Sequence, residues 1–145
     1  RPWRQAGKAI GMNTRGSAID RAVAYLAAMQ DRDLDLARRY VADTGLTLVF
    51  PGGRRFSRLE DIRSNSAGRY EIVKKHILDC HAWEHEGAER VMITGTLYGK
   101  WLDGRSFDGI RFIDWFEMRD GLIVRQEVWN DTGERLLEMK KGTSE

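Results

Sequence analysis

The hydrophobic positions change period once along the chain, from helical spacing to strand alternation. Ile19, Ala22, Val23, Leu26 and Met29 recur every three to four residues behind Ser17 and Asp20, which predicts a first helix ending near Gln30. Asp33 is placed to cap a shorter second helix carrying Leu34, Ala37, Tyr40 and Val41, stopped near Asp43-Thr-Gly45. A short strand, Leu46 to Phe50, ends at Pro51-Gly-Gly53. Ser57-Arg-Leu-Glu60 reads as a capping box opening a third helix, with Leu59, Ile62, Tyr70 and Val73 inward and Gly68 weakening its middle.

From His76 onward, long β segments are punctuated at Glu86-Gly87, Asp103-Gly104 and Asp120-Gly121, which predicts a four-stranded antiparallel meander. Straight strands of about 13 residues would run roughly 40 Å, too long for a domain of this size. They must bend, with Gly95, Gly99 and Gly109 as the bend or bulge sites. Three N-terminal helices packed in the concave face of a strongly curved, mainly antiparallel sheet give a cone-shaped α+β half-barrel with a conical cavity. The expected division is a basic extension over 1–16, the cone domain over 17–132, and a tail or short helix over 133–145.

Within the meander, Asp114 is a lone carboxylate in Ile110-Arg-Phe-Ile-Asp-Trp-Phe-Glu-Met118, a run that otherwise reads as a buried strand. A carboxylate removed from water must be paired, hydrogen-bonded or protonated, so Asp114 is a candidate for acid-base chemistry or for a polar network that specifies the core. If each turn has three loop residues ending in glycine, Asp114 faces Gln126, Phe112 faces Val128 and Ile110 faces Asn130. A two-residue Asp120-Gly121 turn would instead oppose Asp114 to Glu127, an unfavourable pairing of like charges. The same turn type elsewhere sets Met92, Thr94, Thr96 and Tyr98, then His76, Leu78, Cys80 and Ala82, on the Asp114 face. The expected pocket wall is therefore Phe50, Leu78, Met92, Thr94, Tyr98, Phe112, Phe116, Gln126, Val128 and Asn130. The opposite face carries Trp83, Trp101, Ile113, Trp115 and Trp129 with Arg111, Arg125 and Glu127. Aromatics mixed with arginines predict a homodimer interface through Trp101, Trp115, Arg125 and Trp129, with Trp115 opposite Arg125 as a cation-π pair.

Charge narrows the partners. The formal net charge of the 145-residue chain is +2, but Arg1, Arg4, Lys8 and Arg15 precede the first acid, Asp20, leaving 20 basic and 22 acidic residues beyond. The body is no polyanion binder, and no nucleic-acid partner is expected. Met12 is a candidate natural start. The longest apolar run, Ala22 to Met29, is too short to span a bilayer, so no membrane partner is expected either. Cys80, the single cysteine, fits a reducing compartment, and the expected location is cytoplasmic. His81 and His85 stand too far from each other along a strand to share one ion, so no metal is expected. Pro51-Gly-Gly53 lacks the lysine of a phosphate loop, and no cofactor is expected.

The string Arg111-Phe-Ile-Asp-Trp-Phe-Glu-Met-Arg-Asp-Gly-Leu-Ile123 with Trp129-Asn-Asp131 resembles the nuclear transport factor 2-like superfamily, in particular its SnoaL-like branch, over about residues 17 to 132. That branch is related to ketosteroid isomerase, scytalone dehydratase and polyketide cyclase. The segment Tyr25-Leu-Ala-Ala-Met-Gln-Asp-Arg-Asp-Leu-Asp35 is similar to the ketosteroid isomerase helix whose tyrosine donates to the substrate oxyanion, and Asp114 matches its protonated aspartic partner. The isomerase's general base falls at about Phe50. The run His76-Ile-Leu-Asp-Cys-His-Ala-Trp-Glu84 resembles the scytalone dehydratase strand with a catalytic histidine, whose second histidine falls near Lys100. Limonene epoxide hydrolase is matched at Arg90 only, its aspartates falling at Met92 and Val128.

The resemblance implies a cofactor-free isomerase, cyclase or dehydratase moving protons on a small apolar cyclic or polyketide-like ligand. His76 would shuttle the proton, while Tyr25 and a protonated Asp114 hold oxyanion charge; an ionised Asp114 becomes the base and His76 the acid. A non-catalytic ligand-binding or dimerisation module is the alternative.

Overall fold

The structure, a computed structural model, describes residues 14–143. The expected extension falls mainly on residues outside this range. Helix α1 (Thr14–Gln30) is followed by α2 (Leu34–Arg38), β1 (Thr47–Phe50), β2 (Arg54–Phe56) and α3 (Leu59–Ala67). Then come β3 (Tyr70–His85), β4 (Ala88–Trp101), β5 (Ser106–Arg119), β6 (Leu122–Asn130) and α4 (Thr132–Thr143). One mostly antiparallel, curved and open sheet runs in the order β2-β1-β6-β5-β4-β3, with β1 parallel to β6. The α+β cone and its β3–β6 meander are as the pattern predicts.

Helix α1 turns Ala18, Ala22, Tyr25 and Leu26 into the core against Val91, Ile93, Phe116 and Ile123 of the sheet. Asp33 caps α2 by accepting the Leu36 amide at 3.1 Å. The predicted capping box of α3 is not made: the N-cap is Arg58, one residue beyond Ser57, and its guanidinium has no acceptor for the helix amides, while Glu60 accepts from Arg38 at 2.7 Å. Tyr70 and Val73 belong to β3 and not to a helix, since the turn at Gly68 ends α3 and the chain extends from Tyr70.

Register departs from expectation at the bulges. The β4–β5 turn does hold three residues, Leu102-Asp103-Gly104, with the Trp101 amide on the Arg105 carbonyl at 2.9 Å. An extra residue at Asp108-Gly109 then shifts the pairing from Gly99↔Phe107 to Leu97↔Ile110, and every β4 side chain beyond it changes face. The turns at Glu86-Gly87 and Asp120-Gly121 have two residues, each pair with φ between +51° and +76°. On β6, an added residue at Val124 moves Asp114 opposite Val128 and Phe112 opposite Asn130, in place of the predicted Gln126 and Val128. This bulge lets the short turn exist without opposing Asp114 to Glu127, which pairs outside with Trp115 and accepts Arg125 at 2.7 Å.

Candidate functional site

A cavity of about 420 Å³ opens between α1, α3 and the β3 side of the cone. Leu26, Met29, Phe50, Ile62, Leu97, Phe112 and Val128 give it apolar walls. Its volume lies within the usual range for small-molecule sites. At its inner surface Lys75 projects from β3, and its Nζ donates to Asp114 Oδ2 at 2.5 Å while lying 4.9 Å from the centre of the Phe112 ring.

The pair exists because three elements are in phase. Lys75 sits opposite Leu97 on β4, and Asp114 opposite Ile93. Between them on the inner face is Gly95, which has no side chain to block the diagonal, and the lysine crosses β4 to reach β5. Asp114 is fully buried, whereas the Lys75 side chain is 23% exposed. The lysine therefore fronts the cavity and the carboxylate stands behind it.

Behind Asp114 the network continues into the core. Gln126 Nε2 donates to Asp114 Oδ1 at 3.4 Å, and its Oε1 accepts the Tyr25 hydroxyl at 2.9 Å. Both carboxylate oxygens thus accept from donors, as an ion pair requires. Tyr25 is wholly buried with its ring edge-on to Phe116 at 6.0 Å, and burial, reinforced by the Asp114 charge, pushes its phenol far up. Its partner is Gln126, not Asp114. Tyr25, Phe116 and Gln126 support the site from beneath the cavity wall.

Of the expected wall, Phe50, Phe112, Val128 and Asn130 line the cavity. Asn130 is fixed there because its Oδ1 accepts the Thr132 amide at 3.1 Å at the start of α4. Met92, Thr94 and Tyr98 point outward instead, turned by the Gly109 bulge, and His76 stacks on Tyr98 at 4.1 Å on that outer face. Leu78 is the extra residue of a β3 bulge and is 62% exposed. The same flip brings Trp101 inside, 5% exposed and stacked on Tyr70 at 5.6 Å, so it is not part of the outer face. Trp115 meets Arg90 at 5.3 Å and not Arg125. Cys80 faces inward, and burial, then Asp79 and Asp20, push its thiol up to about 12, an unreactive setting. Among the described residues no group of three or more His, Cys, Asp or Glu is placed to hold a metal ion, and no helix is long and apolar enough to cross a membrane.

Lys75 was not apparent from the sequence because the helical reading ran through Tyr70 and Val73. Its signal was available: Val73-x-Lys-x-Ile77 puts one charge in an inward apolar row, as Phe112-x-Asp-x-Phe116 does.

A family model for the SnoaL-like domain matches residues 22–126. The chain belongs to the SnoaL-like family. No curated protein sequence matches it. Among solved structures, it is similar to a nuclear transport factor 2-like protein of unknown function from Burkholderia pseudomallei, with 16% identity, TM-score 0.68, and coverage of 83% of this chain and 95% of that one. TerC, co-crystallised with polyporic acid, is 21% identical with TM-score 0.67, covering 81% and 94% respectively. A proposed SnoaL-like polyketide cyclase from Jannaschia sp. CCS1 is 12% identical with TM-score 0.66, covering 84% and 90%. At these identities the likeness is one of fold. The SnoaL-like domain here keeps the cone and its cavity and places a Lys75–Asp114 pair at the inner end.

Proposed function

We propose that this SnoaL-like domain is a cofactor-free enzyme that moves protons on an apolar cyclic or polyketide-like molecule, as an isomerase, cyclase or dehydratase. The observation that carries the reading is an ion pair, Lys75–Asp114, whose cationic end alone reaches an apolar cavity. An ammonium in such a wall donates to a ligand carbonyl and stabilises the oxyanion formed as a neighbouring C–H proton passes to solvent water at the open mouth, from which the product carbon is reprotonated. Asp114 acts through Lys75 as a positioning residue, held in turn by Gln126 and Tyr25. His76 and Tyr25 stand away from the cavity, so Lys75 takes the contact role expected of them. TerC's co-crystallisation with polyporic acid supports a cyclic organic ligand.

In a screen of enones, lactones and polyphenols, Lys75→Gln is expected to lower kcat/KM for the accepted substrate by about 100-fold or more. Asp114→Asn should lower kcat with a smaller effect on KM. Turnover and ligand affinity left intact by both changes would end this reading. The fully satisfied Asp114 favours a second one, a non-catalytic ligand-binding module; that reading predicts lost affinity in Lys75→Gln with no turnover by the parent.

The outer sheet face is proposed as a homodimer interface. Trp129 and Ile113, 52% and 39% exposed, lie there with Trp115, Arg125 and Glu127. Sedimentation is expected to give twice the chain mass, and Trp129→Arg with Ile113→Asp should give the monomer; a monomeric parent excludes the interface.

A further inference from the structure

The charges of the cavity are segregated. Arg32, Arg63, Arg69, Lys74 and Lys75 line it against one carboxylate, Glu71. Asp114 neutralises Lys75 at the inner end, which leaves the excess positive charge with the other four. Among the described residues, Arg63, Arg69 and Lys74 make no ion pair with a carboxylate, and Arg32 donates only to the Glu71 carbonyl, at 3.5 Å. Arg32, Arg63 and Lys74 are exposed, whereas Leu26, Ile62, Leu97 and Phe112 are buried. Arg32, Arg63 and Arg69 therefore form the mouth, and the apolar wall lies within, while Lys74 pairs with Tyr98 on the outer side of the same strand margin.

Excess positive charge is not a property of the whole chain, whose residues beyond Arg15 carry 20 bases and 22 acids. Cations gathered around an apolar cleft on a nearly neutral body attract an anion to that opening, and low-dielectric walls focus the field.

We propose that the ligand is an organic anion: an apolar ring system carrying a carboxylate or an acidic enolic hydroxyl, its rings inside and its charge at the mouth. The orientation follows from the charges. The inner cation is already paired, so the anionic group gains most between Arg63 and Arg69, and the uncharged end of the ligand is left beside Lys75. This rests on the small-molecule reading of the cavity and adds the substrate's charge and direction of entry.

Calorimetric titration with two matched pairs tests it: naphthoate against its methyl ester, and hydroxynaphthoquinone against its methyl ether. Each anion of a bound pair is expected to bind about tenfold more tightly than its neutral partner at low salt, as several partly exposed charge contacts would give. The ratio should fall to within about twofold in the Arg63→Gln/Arg69→Gln variant, and also at high salt. The pair with the larger ratio tells carboxylate from enolate. If a neutral partner binds as well as its anion, the charge proposal is wrong and the cavity reading stands. If none of the four probes binds at millimolar concentration, both are overturned.

Discussion

Lys75→Ala is expected to lower the unfolding free energy by about 3 kcal/mol, because it leaves a buried carboxylate with one long hydrogen bond from Gln126. The lysine's own packing is a minor part of this loss. What dominates is Asp114, fully enclosed, deprived of the one cation that pairs with it among the described residues. The double change Lys75→Met/Asp114→Leu removes both charges and should recover most of the stability, since a well-filled apolar pair avoids desolvation altogether. Urea unfolding of the two variants and the parent measures the difference. A loss below about 1 kcal/mol in the single variant would mean that Asp114 does not depend on Lys75. The comparison also separates function from folding: the double variant should be stable and should lack whatever turnover or binding the parent has.

Gly95→Ala is expected to be at least as costly, about 3 kcal/mol or more, although alanine suits many strand positions. A Cβ at Gly95 would lie 1.9 Å from the His76 carbonyl oxygen and 2.9 Å from Phe112 Cε2. The first of these is backbone and cannot swing away. Relief requires β3 to move off β4, which carries Lys75 away from Asp114 and pushes Phe112 into the cavity. Thermal melting and near-ultraviolet circular dichroism report the two effects. A melting temperature equal to that of the parent would contradict the close approach of β3 to β4 at this position.

The two cases also mark what was legible in the sequence. Turn glycines at Gly87, Gly104 and Gly121 declare the meander because their positions need a left-handed backbone, and the sequence itself carries that requirement. The lone carboxylate at Asp114 was equally visible against its apolar neighbours. Register was not, because a bulge is one extra residue whose effect on facing is total while its mark in the sequence is slight. Gly109 marks a bend site, yet its consequence, that Ile93 and not Met92 lies beside Asp114, depends on how many residues the bulge adds. The charge clash of Asp114 with Glu127 argues against a two-residue turn at Asp120-Gly121, and the added residue at Val124 removes that clash. Lys75 stayed hidden behind a boundary error, since Tyr70 and Val73 fit a helical stripe until Gly68 is taken as the helix end.

The extra residues in β3 also bear on how the domain behaves at high concentration. β3 is an edge strand of 16 residues, long enough to recruit a strand from a neighbouring molecule. Its pairing with β4 is broken between Tyr70 and Ile72 and again between Ile77 and Asp79, so no long, regular ladder faces outward. Between these breaks the Lys75 amide is already bonded to Gln30 Oε1 at 3.0 Å, and Lys74 sets a charge beside it. The irregularities that aim Lys75 into the cavity leave the open margin of the sheet a poor template for aggregation.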